Sequence, residues 1–181
     1  GHDTGSDASW GNPGASAAIL AARRPVIGIE QGGYSFFGTL GLNIGYPNGA
    51  TGGALRTIYP VNPAHPAWNT PFSIPLGGTG QVTLYALDQP IAAIHDTHLG
   101  AGNERIGVEG LNRAFNFLVG ENNCYMLWGY RGDSSAMTDH GRYLFLNTLE
   151  FVGTWARCPG APPTATRTPT STATRTATPT R

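Results

Sequence analysis

Residues 25–38, PVIGIEQGGYSFFG, constrain the fold more than any other stretch of the chain. Pro25-Val26-Ile27-Gly28-Ile29 is a short apolar run with β-branched residues, preceded by Arg23-Arg24, and reads as a buried strand. Glu30-Gln31-Gly32-Gly33 reads as a tight polar corner. Tyr34 onward reads as a helix, with Phe36, Phe37 and Leu40 apolar and Gly41 as its stop. Strand, glycine turn and helix together are the geometry of a nucleophile elbow. There the corner residue is pushed out of the sheet and faces the N-terminus of the next helix.

The rest of the chain is read around that unit. Pro13 suits the first turn of a helix over 13–24, where Ala15, Ala17, Ala18, Ile19, Leu20, Ala21 and Ala22 carry high helix propensity. Residues 43–53, rich in Gly, Asn and Pro, read as an irregular loop. Strands are expected at 55–59, 82–87, 91–94, 115–119 and 125–130. Five prolines between 60 and 80 exclude long regular structure there, apart from one helical turn at His65-Pro66-Ala67-Trp68. Residues 100–113 read as a polar loop. Residues 139–155 form the best helix, with Phe145, Thr148, Leu149, Val152 and Trp155 on one stripe and Thr138 or Asp139 as cap.

Gly28-Ile29-Glu30-Gln31-Gly32 resembles the G-x-C-x-G elbow of the class I glutamine amidotransferase-like superfamily, in its ThuA-like and DJ-1/PfpI-like branches. Leu127-Trp128-Gly129-Tyr130, Met137-Thr138 and the run from Gly141 to Asn147 are similar to the last strand and last helix of ThuA-like domains. The resemblance implies an α/β domain over 1–158, with an open, mostly parallel, flavodoxin-like sheet. It also implies that the first βαβ units precede Gly1. Glu30 stands where the family has its cysteine, and 130–133, where the family has its histidine, holds none. Glutamine amidotransferase chemistry is therefore not expected.

Glu30 has two readings. A carboxylate at the elbow could bind a cation or a sugar hydroxyl, or act as a base; or it merely satisfies local N–H groups. The ligand-binding candidates are Asp3, Glu30, Gln31, Gly32, Gly33, Tyr46 and Tyr130, at the carboxyl ends of strands and the loops beside them. Trp10, Tyr34, Tyr46, Trp68 and Tyr130 suggest a carbohydrate surface. His95 and His98, with Asp96 and Glu104 near, are weak metal candidates because helical i, i+4 spacing is missing. Arg131-Gly132-Asp133 spells an adhesion tripeptide, a match common by chance. No cofactor is called for.

Zero formal charge gives no reason to expect nucleic acid or an anionic membrane as partner. No apolar run is long enough to span a bilayer. Cys124 opens a strand, and a helix over 139–155 runs back antiparallel, bringing Cys158 to the same level. A disulfide is expected, with two buried free thiols as the alternative. From Thr164 to Thr180 every second residue is Thr. Residues 159–181 therefore read as a disordered Thr/Pro-rich linker. The combined expectation is a non-catalytic ligand-binding or scaffolding domain of a larger secreted or cell-surface bacterial protein. It would take a carbohydrate or peptide. The alternative is a hydrolase of non-thiol chemistry using Glu30.

Overall fold

The computed structural model describes residues 13–110, 113–155 and 158. Along them run α1 (Pro13–Ala22), β1 (Val26–Ile29), α2 (Glu30–Thr39), β2 (Gly49–Leu55), β3 (Thr57–Pro60), β4 (Val82–Thr83), β5 (Gln89–His95), β6 (Asn103–Val108), β7 (Phe115–Glu121), β8 (Tyr125–Trp128) and α3 (Asp139–Gly153). Single 3-10 turns occupy Pro66–Trp68 and Asp96–His98.

The eight strands form one mixed sheet, with path β1-β8-β7-β6-β3-β4 and with β5 joining β7 to β2. Only β1 and β8 run parallel; every other pairing is antiparallel. This overturns the expected open, mostly parallel, flavodoxin-like sheet. The physical reason is connection length, since parallel neighbours need a crossover of roughly a dozen residues or more. Here the neighbours β7 and β8 are separated by Asn122, Asn123 and Cys124 alone, and the neighbours β6 and β7 by residues 109–114. Asn122 and Asn123 take φ of 56 and 49, the left-handed pair that a tight hairpin turn requires.

Two segments expected as loops are strands. β6 pairs with β7 through register shifts on both sides of Gly107, so its apolar residues do not alternate. β2 (GATGGAL) has almost no apolar side chains, and backbone pairing with β5 holds it in the sheet. In contrast, the expected strand 82–87 is cut to two residues.

Alternation along β1, β7 and β8 divides the core between two faces. Ile27, Ile29, Leu118, Met126 and Trp128 pack with Trp68, Leu144, Val152 and Trp155. Val26, Val119 and Leu127 pack with Tyr34, Phe36, Phe37 and Ile44. Thus α3 and the proline-rich loop cover one face, and α2 covers the other. Thr138 caps α3 by accepting from the Gly141 N–H at 3.1 Å. Buried Asn147 on α3 pins the loop: its amide donates to the carbonyls of Ala67 (3.0 Å) and Phe72 (2.7 Å) and accepts from the Phe72 N–H (2.9 Å).

Gly129 marks the fork where β5, β7 and β8 converge. Its N–H donates to Phe117 O (2.7 Å) and its carbonyl accepts from Ala92 N (2.8 Å). A Cβ there would stand 2.3 Å from the Ala92 oxygen.

Cys124 and Cys158 form the expected disulfide, with a Cα–Cα distance of 4.8 Å. It ties the β7–β8 turn to the chain just beyond α3. Among the described residues no helix is long and apolar enough to cross a membrane. Both features are compatible with a secreted protein. The linker expected at 159–181 lies outside the described residues.

Candidate functional site

β1 delivers the chain to the elbow. Ile29 ends the strand in extended conformation, and Glu30 turns the corner at φ 44 as the first residue of α2. That is left-handed backbone, which a residue with a Cβ adopts only where its surroundings enforce it. The enforcement comes from two glycines. A Cβ on Gly33 would stand 2.3 Å from the Gly28 carbonyl carbon, and one on Gly28 would stand 2.7 Å from Gly33 Cα. Bare backbone therefore lies on bare backbone, and α2 starts immediately against the strand. The helix accordingly includes Glu30, Gln31, Gly32 and Gly33, which the sequence reading had assigned to a corner.

Glu30 is buried at 2% exposure and sits in the first turn of α2, where the helix dipole favours a carboxylate. Gln31 beside it is half-buried, and Gly32 and Gly33 are buried. Asp3 lies outside the described residues, as does Trp10.

Because β8 is parallel to β1, its carboxyl end emerges beside the elbow. A pocket of about 300 Å³ opens there, lined by Ile29, Trp128, Arg131, Gly132, Asp133, Ser134, Met137 and Phe145. Its floor is apolar and aromatic. Its rim carries a guanidinium, a carboxylate and a hydroxyl. Sequence reasoning met this rim only as an adhesion tripeptide and as the place where the resembled family has a histidine that is missing here. The signal that marks it is position: the loop following a strand parallel to the elbow strand.

The tripeptide itself is built into the fold. Gly132 packs under Tyr85 and Gln89, and Asp133 Oδ1 accepts from the N–H groups of Ser135 (2.8 Å) and Ala136 (3.2 Å).

The other named residues do not converge on the pocket. Tyr130 is 1% exposed and its hydroxyl donates to the Thr57 carbonyl at 2.6 Å. Burial pushes its phenol pKa well above the usual value, with Tyr85 adding to the effect. Tyr34 and Trp68, at 3% and 1% exposure, also belong to the core. Tyr46 is 66% exposed and stands edge-on to Tyr34, on the face covered by α2. Of the aromatics proposed for carbohydrate, Tyr46 is the one the structure places at the surface among the described residues.

The histidines are likewise elsewhere. His95 ends β5, with Nδ1 2.9 Å from Thr97 Oγ1 and 3.1 Å from Asp96 Oδ1. His98 is exposed on the following turn. Glu104 pairs instead with His65, 3.0 Å from its Nε2. The His65 Nδ1 accepts from the Ala67 N–H, so this imidazole is held as a structural brace. Among the described residues no group of three or more His, Cys, Asp or Glu side chains is placed to hold a metal ion.

Compared with the known protein families, with characterised proteins and with solved structures, the chain matches none. The fold and the elbow geometry therefore define its class: a disulfide-braced, mostly antiparallel sheet between helices, with a buried glutamate at a strand–helix corner.

Proposed function

We propose that this is a non-catalytic ligand-binding domain of a larger secreted or cell-surface bacterial protein, binding a small polar molecule at the carboxyl ends of β1 and β8. The observation that carries the reading is the pocket beside the elbow, which combines an apolar floor of Trp128 and Phe145 with Arg131, Asp133 and Ser134 at its rim. An aromatic floor with mixed hydrogen-bonding groups suits a sugar or a short peptide. The Thr/Pro-rich composition of 159–181 supports the linker reading, and hence attachment to further domains.

The test is a thermal-shift panel of mono- and oligosaccharides and short peptides on the 181-residue chain. A ligand at about 100 times its Kd stabilises by roughly 2.7 kcal/mol, or about 5–10 °C for a domain of this size. A Ser134→Tyr substitution, which fills the rim, should abolish the shift. A panel in which no compound moves the melting temperature would oppose the proposal.

One observation favours a second reading, a hydrolase of non-thiol chemistry. Glu30 combines burial with left-handed backbone, and such strain clusters at reactive positions. Turnover of a bound glycan or peptide, lost in Glu30→Gln with binding retained, would establish the hydrolase. Binding without turnover supports the first reading.

A further inference from the structure

β1 is an outer strand of the sheet: among the described residues it pairs on one side only, with β8. Its pairing fixes which backbone groups face outward. The Val26 N–H donates to Cys124 O at 2.8 Å, toward β8. Backbone groups alternate sides along a strand, so the N–H and C=O of Ile27 and the N–H of Ile29 point away from β8. Such an edge is a template for another strand unless something blocks it. Val26–Ile29 carries no charge, no proline and no register shift against β8.

Space for side chains lies along the same edge. Ile27 and Ile29 sit on one face of β1, the face that α3 covers. Ile29 lines the pocket beside the elbow. Ile27 lines a second cleft of about 510 Å³, with Leu149, Val152 and Trp155 as its apolar wall and Arg24 at its rim. Phe145 belongs to the first cavity and Leu149 to the second, so α3 runs antiparallel to β1 over both. Side chains one helical turn apart are separated by about 5–6 Å, and two strand residues span about 6.6 Å. The two cavities therefore keep the side-chain repeat of an extended chain. Arg24 is exposed and forms no ion pair among the described residues, so this end of the row favours an acidic group.

We propose that the free edge of β1 takes an extended peptide as an added antiparallel strand, with apolar side chains at alternate positions filling the two cavities and an acidic residue meeting Arg24. The inference rests on the pocket beside the elbow being a binding site, and it names the ligand class as peptide rather than sugar. Backbone pairing supplies affinity, and the cavities supply selection. In the antiparallel sense the peptide residue opposite Ile27 exchanges both hydrogen bonds with it, while the residues on either side turn their N–H groups to solvent. An acidic residue two positions further on lies opposite Pro25, within reach of Arg24.

The test is isothermal titration of the 181-residue chain with the blocked peptide acetyl-Leu-Thr-Leu-Thr-Asp-amide and its counterparts with valine or phenylalanine for leucine. At least one should bind, with its two apolar residues at Ile29 and Ile27. Methylating the nitrogen of the second apolar residue removes the donor to Ile27 O and should weaken binding at least about tenfold. Methylating the preceding threonine nitrogen, which faces solvent, should change it by less than about threefold. Gly153→Leu fills the Ile27 cleft, and a Cβ there meets nothing within 4 Å, so the fold is kept. It should weaken the peptide, and Arg24→Glu should reverse the preference for aspartate over lysine at the last position. Circular dichroism of both variants checks the fold directly. Equal affinity for the two methylated forms would overturn the added strand. So would a chain that binds sugars in a manner blocked by Ser134→Tyr but binds none of the peptides; the elbow site would then stand with a different ligand class. A chain that binds neither sugars nor peptides removes both readings.

Discussion

Replacing Gly33 by alanine sets two effects of opposite sign against each other. Gly33 lies inside α2, where alanine favours the helix by about 1 kcal/mol over glycine. The new Cβ, however, would stand 2.3 Å from Gly28 C and 2.5 Å from Gly28 Cα. Both are backbone atoms of β1 and cannot swing aside. Ordinary contact begins near 3.4 Å, so α2 must lift from the strand by about 1 Å. Overpacking of this kind costs about 1–3 kcal/mol, and with no side chain to yield the upper end applies. The net expectation is about 2 kcal/mol of destabilisation, a fall in Tm of about 4–8 °C for a chain of this size. Thermal melts followed by circular dichroism measure it, with Gly153→Ala run alongside. A Cβ at Gly153 meets nothing within 4 Å, so propensity acts alone and Tm should hold or rise. If Gly33→Ala melts at or above the wild type, the close packing of α2 on β1, and the elbow built on it, is refuted.

Further expectations concern the braces. The disulfide closes a separation of 34 residues, so reduction, or Cys158→Ser together with Cys124→Ala, should cost roughly 3–4 kcal/mol, read as a lower denaturant midpoint. Asn147→Asp would turn a carboxylate oxygen toward the carbonyls of Ala67 and Phe72; it should destabilise by more than about 2 kcal/mol and open the 60–80 loop to limited proteolysis. Burial raises the Tyr85 phenol to about 12, against a hydrogen bond from Trp128 that lowers it, with the Asp133 charge adding to the rise. A folded pKa above the unfolded value near 10 means that the unfolded chain releases its proton first, so stability is full below pH about 10 and falls as pH rises toward 12. Tyrosinate absorbance should therefore show Tyr85 and Tyr130 ionising only with the unfolding transition; ionisation of all seven tyrosines in the folded protein would contradict their placement.

The local elements were legible where apolar periodicity or punctuation was strong. The elbow strand, the cap at Thr138, α3 and the Cys124–Cys158 bridge all follow from residues read in place. The sheet was not legible, because an elbow constrains one strand and its helix but says nothing of how other strands pair. The signals that decide pairing were short: Asn122-Asn123 as the hairpin turn between β7 and β8, and the brief connection at 109–114 between β6 and β7. β2 and β6 stayed hidden because glycines and register shifts erase the two-residue alternation. The pocket rim was hidden for a related reason. Arg131, Asp133 and Ser134 become neighbours of Ile29 only once β8 is known to lie parallel to β1. Tyr130 and Trp68 were misplaced to the surface because an aromatic beside a loop can as well plug the core under it.

The most direct test of the binding site is a nitrogen-15 NMR titration with whichever sugar or peptide raises Tm most, read at the four tryptophan indoles and the backbone amides. The Trp128 indole N–H, which donates to the Tyr85 hydroxyl at 3.2 Å, lies under the pocket, whereas that of Trp68 donates to the Ile106 carbonyl, away from the pocket lining. The account predicts that Trp128, Ile29 and residues 131–134 shift together on one saturating curve while Trp68 stays still. Shifts clustered around Tyr46 or along the outer face of α3, with Trp128 unmoved, would place the ligand elsewhere and contradict it.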